Sequence, residues 1–457
     1  MSRKLSYSVD DESSDLIKKY EQFLDGNGAG YFDVEELETI VDYYLRKGRT
    51  KESSKALEFG LKLHPGSSAL KTKRAKIYLV IGETQKAFRI LESVSESADY
   101  EVLLLKIEAL SKLGRTKEAY KLCQDVLLNE VDDIDNVCLD LAFIFIAQLD
   151  FETAIKFLQK GDKYNALNVD LLFELAFCYE QLSDNEKAIE VYNRIINIDS
   201  YMSEAWFNLG QIYFVQQDYQ NAIDAYDFAL AINDNDSLTS LQKAHAHFQL
   251  GQFSDAIETY SDFKKLAIEP WQANLFIGES YEKMERYDEA ISYYQKSLYD
   301  QPDNYDALTG IGICLLEKEQ YAESLNYVKK AIELQEDASD AWVYLAEGLI
   351  GLDDTENALL AYLKSITLEP NQPDTLMAIA NICMDNTEYE TALQYYLAAY
   401  DLDITLEYID LFIAVAYYKI NDLENSKLYL NKAVAQNMDS LKLFFDICPD
   451  ADQAELF

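Results

Sequence analysis

Glycine, proline, cysteine and histidine are all scarce in this chain, so few of its residues are suited to breaking helices, forming disulfides or binding zinc. Only 16 Gly and 6 Pro occur in 457 residues, so most of the chain is free to continue a helix. The six cysteines are far apart in sequence, which argues against a disulfide framework and predicts free thiols in a reducing compartment. No spacing of cysteine and histidine matches a zinc site.

Long apolar runs are also missing from the sequence. No stretch of about 18 apolar residues occurs, so no transmembrane helix is predicted. The opening residues, MSRKLSYSVDDESSDL, have no apolar core that could act as a signal peptide. We therefore expect a cytoplasmic protein.

Basic residues are scarce and unevenly placed. The chain has 40 Lys and Arg against 81 Asp and Glu, a net charge of -41 that would repel nucleic acid and anionic membranes. Residues 1–134 carry 21 basic and 24 acidic residues, whereas residues 135–457 carry 19 and 57. The acidic part favours a cationic partner, unless its charge serves only to keep the protein soluble.

No catalytic constellation is visible either. The chain lacks a glycine-rich phosphate loop and a nucleophile elbow, and its three histidines form no catalytic pattern. We therefore predict that the protein is not an enzyme and needs no cofactor.

One segment, residues 25–36, has part of the pattern of a calcium-binding loop. Acidic and amide residues fall at loop positions one, three, nine and twelve: Asp25, Asn27, Asp33 and Glu36. Ala29 removes the ligand at position five, and no second loop is present. The alternative is a glycine-rich link before a helix that Asp33 caps together with Glu36.

A period of 34 residues organises most of the chain. A small residue recurs at this spacing at Ala154, Ala188, Ala222, Ala256, Ala290, Ser324, Ala358, Ala392 and Ser426. With a less regular N-terminal part, the pattern predicts twelve units that start at residues 34, 68, 100, 135, 169, 203, 237, 271, 305, 339, 373 and 407. Apolar residues recur every three or four positions within a unit, which predicts two amphipathic helices. One such hairpin cannot bury its apolar stripe alone, so neighbouring units must stack.

The unit that starts at Ser203 shows which residues define the repeat. They are Trp206, Leu209, Gly210, Tyr213, Ala222 and Ala229. This pattern resembles the tetratricopeptide repeat family over residues 34–440. The resemblance implies an all-α fold, a right-handed α-solenoid superhelix of tandem helical hairpins with the first helix of each unit on the inner wall. It also implies binding of peptides or partner proteins.

Three regions follow from this division of the chain. Residues 1–33 are predicted to form an N-terminal tail, a capping helix over residues 12–24 and a glycine-rich link. Residues 34–440 form the twelve repeats, and residues 441–457 form a C-terminal cap and tail in which Phe444 and Phe445 cover the last hairpin. Residues 1–11 are expected to be disordered.

The family geometry places aromatic and acidic residues on the inner wall. The candidate partner-binding residues are Phe143, Phe173, Phe177, Phe207, Phe214, Phe248, Phe276, Glu174, Glu204 and Glu279. Such a surface suits a segment that carries apolar and basic side chains. Alternatively, packing against neighbouring units buries some of these aromatics.

The leading hypothesis is therefore a scaffold or adaptor that holds a protein or peptide segment in a concave groove. A self-assembling structural array is an alternative, in which the basic cluster Lys71, Lys73, Arg74 and Lys76 pairs with the acidic body of another copy. A calcium-modulated repeat protein is a third hypothesis. Either a monomer or weak self-association fits the sequence.

Overall fold

The fold is all-α, a solenoid built from tandem helical hairpins. The computed structural model describes residues 6–25, 31–94, 99–129, 133–267 and 269–451, and this part of the chain contains helices and no strand. The described residues divide into two compact units, Met1–Val215 and Gln216–Phe457.

Unit 1 contains one leading helix, five helical hairpins and a final helix. They are α1 (Ser6–Leu24), α2 (Val34–Arg46), α3 (Thr50–Leu63), α4 (Ser68–Val80), α5 (Thr84–Ser93), α6 (Tyr100–Lys112), α7 (Thr116–Asn129), α8 (Ile134–Ile146), α9 (Phe151–Tyr164), α10 (Val169–Gln181), α11 (Asn185–Ile198) and α12 (Ser203–Val215).

Unit 2 begins with a single helix, continues with six hairpins and ends in a shorter helix. They are α13 (Tyr219–Ile232), α14 (Ser237–Gln249), α15 (Phe253–Leu266), α16 (Pro270–Lys283), α17 (Tyr287–Asp300), α18 (Tyr305–Glu317), α19 (Tyr321–Leu334), α20 (Ser339–Gly351), α21 (Thr355–Leu368), α22 (Pro373–Asp385), α23 (Tyr389–Leu402), α24 (Ile409–Lys419), α25 (Leu423–Gln436) and α26 (Asp439–Ile447).

Short polar side chains start many of these helices. Asp184, for example, precedes α11 and its carboxylate accepts a hydrogen bond from the backbone N–H of Lys187. Asn168 does the same for α10, with Leu171 as the donor. Such caps satisfy backbone N–H groups that lack a partner within the helix. These polar residues therefore help to fix where the helices that they cap begin.

The turn inside each hairpin contains one residue with left-handed backbone geometry. These residues recur at the period of the repeat: Gly48, Gly82, Gly114, Leu149, Ser183, Gln217, Gly251, Glu285, Glu319, Asp353, Thr387 and Asn421. A positive φ costs a non-glycine residue energy, so the packing of the two helices must impose this geometry.

The small residue of the repeat lies where the two helices of a hairpin approach each other. Ala154, Ala188 and Ala290 are fully buried there. Ser324 replaces the alanine in α19, and its hydroxyl donates to the carbonyl of Gly312, 2.8 Å away. A serine is therefore tolerated at this position because a backbone carbonyl satisfies its hydroxyl.

One helix lies outside the hairpins at each end of the array. Helix α1 begins at Ser6, before the start of the capping helix that was predicted over residues 12–24. At the other end, Phe444 of α26 is fully buried in a cluster with Leu411 and Leu430, and Phe445 packs against that cluster. Helix α26 therefore covers the apolar face of α24 and α25.

Candidate functional site

A cleft in unit 1 brings together four of the predicted partner-binding residues. It has a volume of about 340 Å³ and is lined by Phe173, Glu174, Phe177, Glu180, Tyr192, Glu204 and Asn208. The first helices α10 and α12 supply most of these side chains, and the second helix α11 supplies Tyr192. We call it the α10–α12 cleft.

Aromatic rings form one wall of the α10–α12 cleft. Phe173 contacts the ring of Tyr192 edge-on, with the ring centroids 6.1 Å apart. Phe177 meets Phe151 in the same way at 6.1 Å, yet 38% of its surface remains exposed. These contacts hold the two phenylalanines in place while leaving part of their surface for a ligand.

A hydrogen-bonded chain forms the polar part of the same cleft. The hydroxyl of Tyr192 donates to Oε1 of Glu180 at 2.5 Å, and Nδ2 of Asn208 donates to the hydroxyl of Tyr192 at 3.1 Å. Burial raises the pKa of both Glu180 and Glu174 above the usual range of a glutamate. The raised pKa means that burial disfavours the charged carboxylates, and a cation placed beside them would stabilise their charged form.

The α10–α12 cleft therefore has acids and aromatic rings but no basic side chain among its lining residues. Glu204 adds a third carboxylate and is exposed. This combination can accept a lysine or arginine side chain, by charge and by contact with aromatic faces, next to an apolar side chain.

The other predicted residues of unit 1 lie outside this cleft. Phe143 is on α8 and is 36% exposed. Phe207 and Phe214 are on α12 and are half-buried. The expectation that packing covers part of the aromatic surface thus applies to these two residues.

In unit 2, the predicted aromatics are held mainly by their neighbours. Phe248 is half-buried and contacts Phe253 edge-on at 5.4 Å. Phe276 stacks on Tyr260 at 5.3 Å and contacts His245 edge-on at 4.8 Å. Both rings are therefore part of the packing as well as candidates for ligand contact.

Glu279, the predicted acid of unit 2, lies half-buried on α16. Burial, together with the nearby carboxylates of Asp306 and Glu282, raises its pKa to about 7. Its neighbour Glu282 accepts a hydrogen bond of 2.6 Å from the hydroxyl of Tyr294. Helix α16 thus presents two carboxylates close to the aromatic core of its hairpin.

The clefts of unit 2 include two that lie near the start of a first helix. The one at α16, of about 410 Å³, is lined by Trp271, Gln272, Leu275, Phe276, Gln301, Asp303, Asn304, Tyr305, Asp306 and Gln335. The one at α20, of about 320 Å³, is lined by Ser339, Asp340, Val343, Tyr344, Glu369, Gln372, Asp374 and Thr375. We call them the α16 cleft and the α20 cleft.

The candidate calcium residues are placed only in part. Asn27 lies outside the described residues. The carboxylate of Asp33 accepts from the backbone N–H of Glu36 at 2.8 Å, and the carboxylate of Glu36 accepts from the backbone N–H of Asp33 at 3.0 Å. Both side chains therefore cap α2. Across the described ranges, no group of three or more His, Cys, Asp or Glu residues is arranged to hold a metal ion.

The basic cluster of α4 is paired within the chain. Nζ of Lys73 is 2.9 Å from Asp42 of α2 and 3.1 Å from Glu101 of α6. Lys76 contacts the same two carboxylates at 3.6 and 3.9 Å. Two of the four basic residues thus have internal partners, which weakens the case for pairing with another copy.

Family models match four stretches of the sequence. All four are described as tetratricopeptide repeat, and they cover residues 169–201, 203–236, 272–337 and 309–374. The chain belongs to the tetratricopeptide repeat family. Members of this family are generally scaffolds for protein interactions and generally lack catalytic activity. The first two matches contain the whole α10–α12 cleft.

The solved structures that are similar to this chain include MamA, pilF and Cut9–Hcn1. MamA is 26% identical, with a TM-score of 0.36 over 38% of this chain and 94% of its own. Pseudomonas aeruginosa pilF is 18% identical, with a TM-score of 0.43 over 48% of this chain and 99% of its own. The Cut9–Hcn1 structure is 14% identical, with a TM-score of 0.40 over 88% of this chain and 98% of that one. No curated protein sequence matches the chain.

None of the helices in the described ranges combines the length and the apolar character needed to cross a membrane.

Tyr192 is a residue of the α10–α12 cleft that was not predicted from the sequence. The predicted residues all lie on first helices, whereas Tyr192 reaches the cleft from the second helix of its hairpin. The signal was present, because tyrosine recurs at this position in the repeat: Tyr192, Tyr226, Tyr260, Tyr294, Tyr362 and Tyr396. As with Tyr192 and Glu180, the hydroxyls of Tyr260, Tyr294 and Tyr396 bond to a polar residue of the first helix, namely His245, Glu282 and Asn381.

Proposed function

We propose that this protein is a scaffold or adaptor that binds a partner segment with apolar and basic side chains on its first-helix surfaces. The observation that carries the proposal is the α10–α12 cleft, where Phe173, Phe177, Glu174 and Glu204 meet. Aromatic anchors supply binding energy, and complementary charge supplies specificity and a fast encounter. The net charge of -41 attracts such a partner from a distance.

A defined peptide tests the charge requirement. The probe is a fluorescent twelve-residue peptide of alternating leucine and arginine, compared with one of alternating leucine and glutamate. Fluorescence anisotropy should show binding of the first peptide and not of the second. Replacing Glu174→Gln together with Glu204→Gln should weaken binding about five-fold, the effect of losing weak ion pairs at the protein surface.

Matched control variants show whether the peptide binds in the α10–α12 cleft or is attracted only by the net charge of the protein. Glu152→Gln with Glu190→Gln removes the same charge from exposed positions of α9 and α11. Phe177→Ala should weaken binding about ten-fold, whereas Tyr164→Ala, at a residue 61% exposed on α9, should have no effect. Equal losses in the cleft and control variants would show that the peptide binds by net charge alone and would contradict the proposal.

The partner itself can be sought by affinity capture from the native cytosol, followed by mass spectrometry. A protein that the wild type and the control variants capture, and the Phe177→Ala variant does not, would be the partner expected for this cleft.

A further inference from the structure

The α16 cleft and the α20 cleft are equivalent sites in the repeat. Residues of the two linings correspond at a spacing of 68 positions, two periods of the repeat. Phe276 corresponds to Tyr344, and Asp306 corresponds to Asp374. One pair of equivalent positions therefore supplies an aromatic ring to each cleft, and a second pair supplies a carboxylate to each.

A hydrogen bond joins the two clefts. Tyr305, in the lining of the α16 cleft, donates from its hydroxyl to Oδ1 of Asp340, in the lining of the α20 cleft, at 2.7 Å. Helix α18, which carries Tyr305, contacts both α16 and α20. The clefts thus belong to one continuous surface of unit 2.

The charge of this surface has one sign. The α16 cleft contains Asp303 and Asp306, and the α20 cleft contains Asp340, Glu369 and Asp374, while neither has a lysine, arginine or histidine in its lining. Each cleft also has an aromatic residue. A guanidinium or ammonium group finds both a counter-charge and an aromatic face in such a site.

The spacing of the clefts sets a length for the ligand. Packed helices lie 8–10 Å apart, so two steps from α16 through α18 to α20 cover about 16–20 Å. An extended chain advances about 3.3 Å per residue, and side chains that enter both clefts would be about five or six positions apart.

We propose that the α16 and α20 clefts bind one extended peptide segment of the partner, with one arginine or lysine side chain in each cleft. This inference rests on the proposed function and specifies the chemistry of the partner. The two clefts act as linked sites, so the second contact forms at a high effective concentration once the first is made.

Three synthetic peptides of twelve residues on a glycine–serine background test the proposal by fluorescence anisotropy with the full chain. The first has two arginines six positions apart, the second has two arginines two positions apart, and the third has one arginine. We expect the first to bind about five-fold more tightly than the other two. Equal affinity for the first and second peptides would overturn the proposal, because net charge would then suffice.

Variants assign each arginine to a cleft. Asp306→Asn and Asp374→Asn should each reduce the affinity for the widely spaced peptide to that of the single-arginine peptide. The exposed residues Asp300 and Asp401 provide a control, because Asp300→Asn with Asp401→Asn removes charge outside both linings. A loss in the control equal to that in the cleft variants would contradict the assignment.

The test also distinguishes this inference from the proposed function. If Phe177→Ala weakens binding of the leucine–arginine peptide while Asp306→Asn and Asp374→Asn change nothing, the scaffold function stands and the two-cleft inference fails. Sedimentation of the protein alone tests whether a second copy of the chain, and not a peptide, occupies the two clefts. A dimer that Asp306→Asn with Asp374→Asn abolishes would overturn the inference.

Discussion

The ring of Tyr294 occupies the space that a side chain at Gly310 would need. A Cβ atom added to Gly310 of α18 would lie 2.5 Å from Cζ of Tyr294, and one added to Gly278 of α16 would lie 2.7 Å from Cδ1 of the same ring. The tyrosine of α17 is thus clamped between two first helices. This position brings its hydroxyl to Glu282.

The close contact predicts the effect of a single methyl group at Gly310. Gly310→Ala should lower the free energy of unfolding by about 1–3 kcal/mol, the usual cost of overpacking. Urea unfolding followed by circular dichroism measures this change. Gly66→Ala is the control, because nothing lies within 4 Å of a Cβ added there. An unchanged midpoint for Gly310→Ala would show that Tyr294 can move aside.

The hydroxyl of Tyr192 should matter for stability and for binding in the α10–α12 cleft. Tyr192→Phe removes the donor to Glu180 and the acceptor for Asn208. We expect a loss of about 1–3 kcal/mol in the free energy of unfolding, since a buried polar group loses its partner. Urea unfolding measures the loss, and anisotropy with the leucine–arginine peptide shows whether Glu180 still contributes to binding.

Tyr164→Phe makes the same chemical change at an exposed tyrosine of α9 and should leave both measurements unchanged. If Tyr192→Phe were equally neutral, the hydrogen-bonded chain would have no role in holding the cleft.

The period of 34 predicted the fold class and the starts of many helices. The two helices of a hairpin must approach closely, and this requires a small residue such as Ala222 next to bulky ones such as Tyr226. A single unit of the sequence already shows this pattern. Helices α12, α14 and α18 begin at Ser203, Ser237 and Tyr305. These are the residues at which repeat units were predicted to start. The division into twelve repeats remains a prediction.

The clefts could not be predicted to the same degree. Whether Phe177 or Phe214 has free surface depends on how neighbouring hairpins pack, which the repeat pattern does not describe. The structure places Phe173, Phe177, Glu174 and Glu204 in one cleft. Phe276 was predicted as a partner-binding residue and lines the α16 cleft. The rest of the α16 and α20 clefts was not predicted, because their walls include residues that directly follow second helices, such as Gln301 and Glu369.

Most of the left-handed turn residues that are not glycine could not be predicted from the sequence either. Gly48 and Gly251 suggest a positive φ, but Leu149 adopts φ 60° without any such signal. The geometry there is imposed by the hairpin, so a leucine bears a cost that a glycine would avoid.

Leu149→Gly should therefore stabilise the protein. We expect a gain of about 1 kcal/mol in the free energy of unfolding from relief of the left-handed geometry, reduced by the greater freedom of glycine in the unfolded chain. Leu128→Gly is the matched control, because Leu128 has the same exposed fraction of 76% but lies within α7. That change should cost about 0.5–1 kcal/mol. Urea midpoints that shift in the same direction for both variants would contradict the argument.

Glu279 should make stability depend on pH, because burial raises its pKa from the usual 4.5 to about 7. The folded state binds the proton more tightly than the unfolded state, so the native protein loses stability as pH rises from about 4.5 to about 7. Glu279→Gln removes this loss.

The variant should match the wild type near pH 4.5 and exceed its free energy of unfolding at pH 8 by up to about 3 kcal/mol. Urea unfolding at both pH values measures the difference, with Glu258→Gln, an exposed residue of α15, as the control. A constant difference between wild type and Glu279→Gln across this range would show that Glu279 ionises in the native state as it does in water.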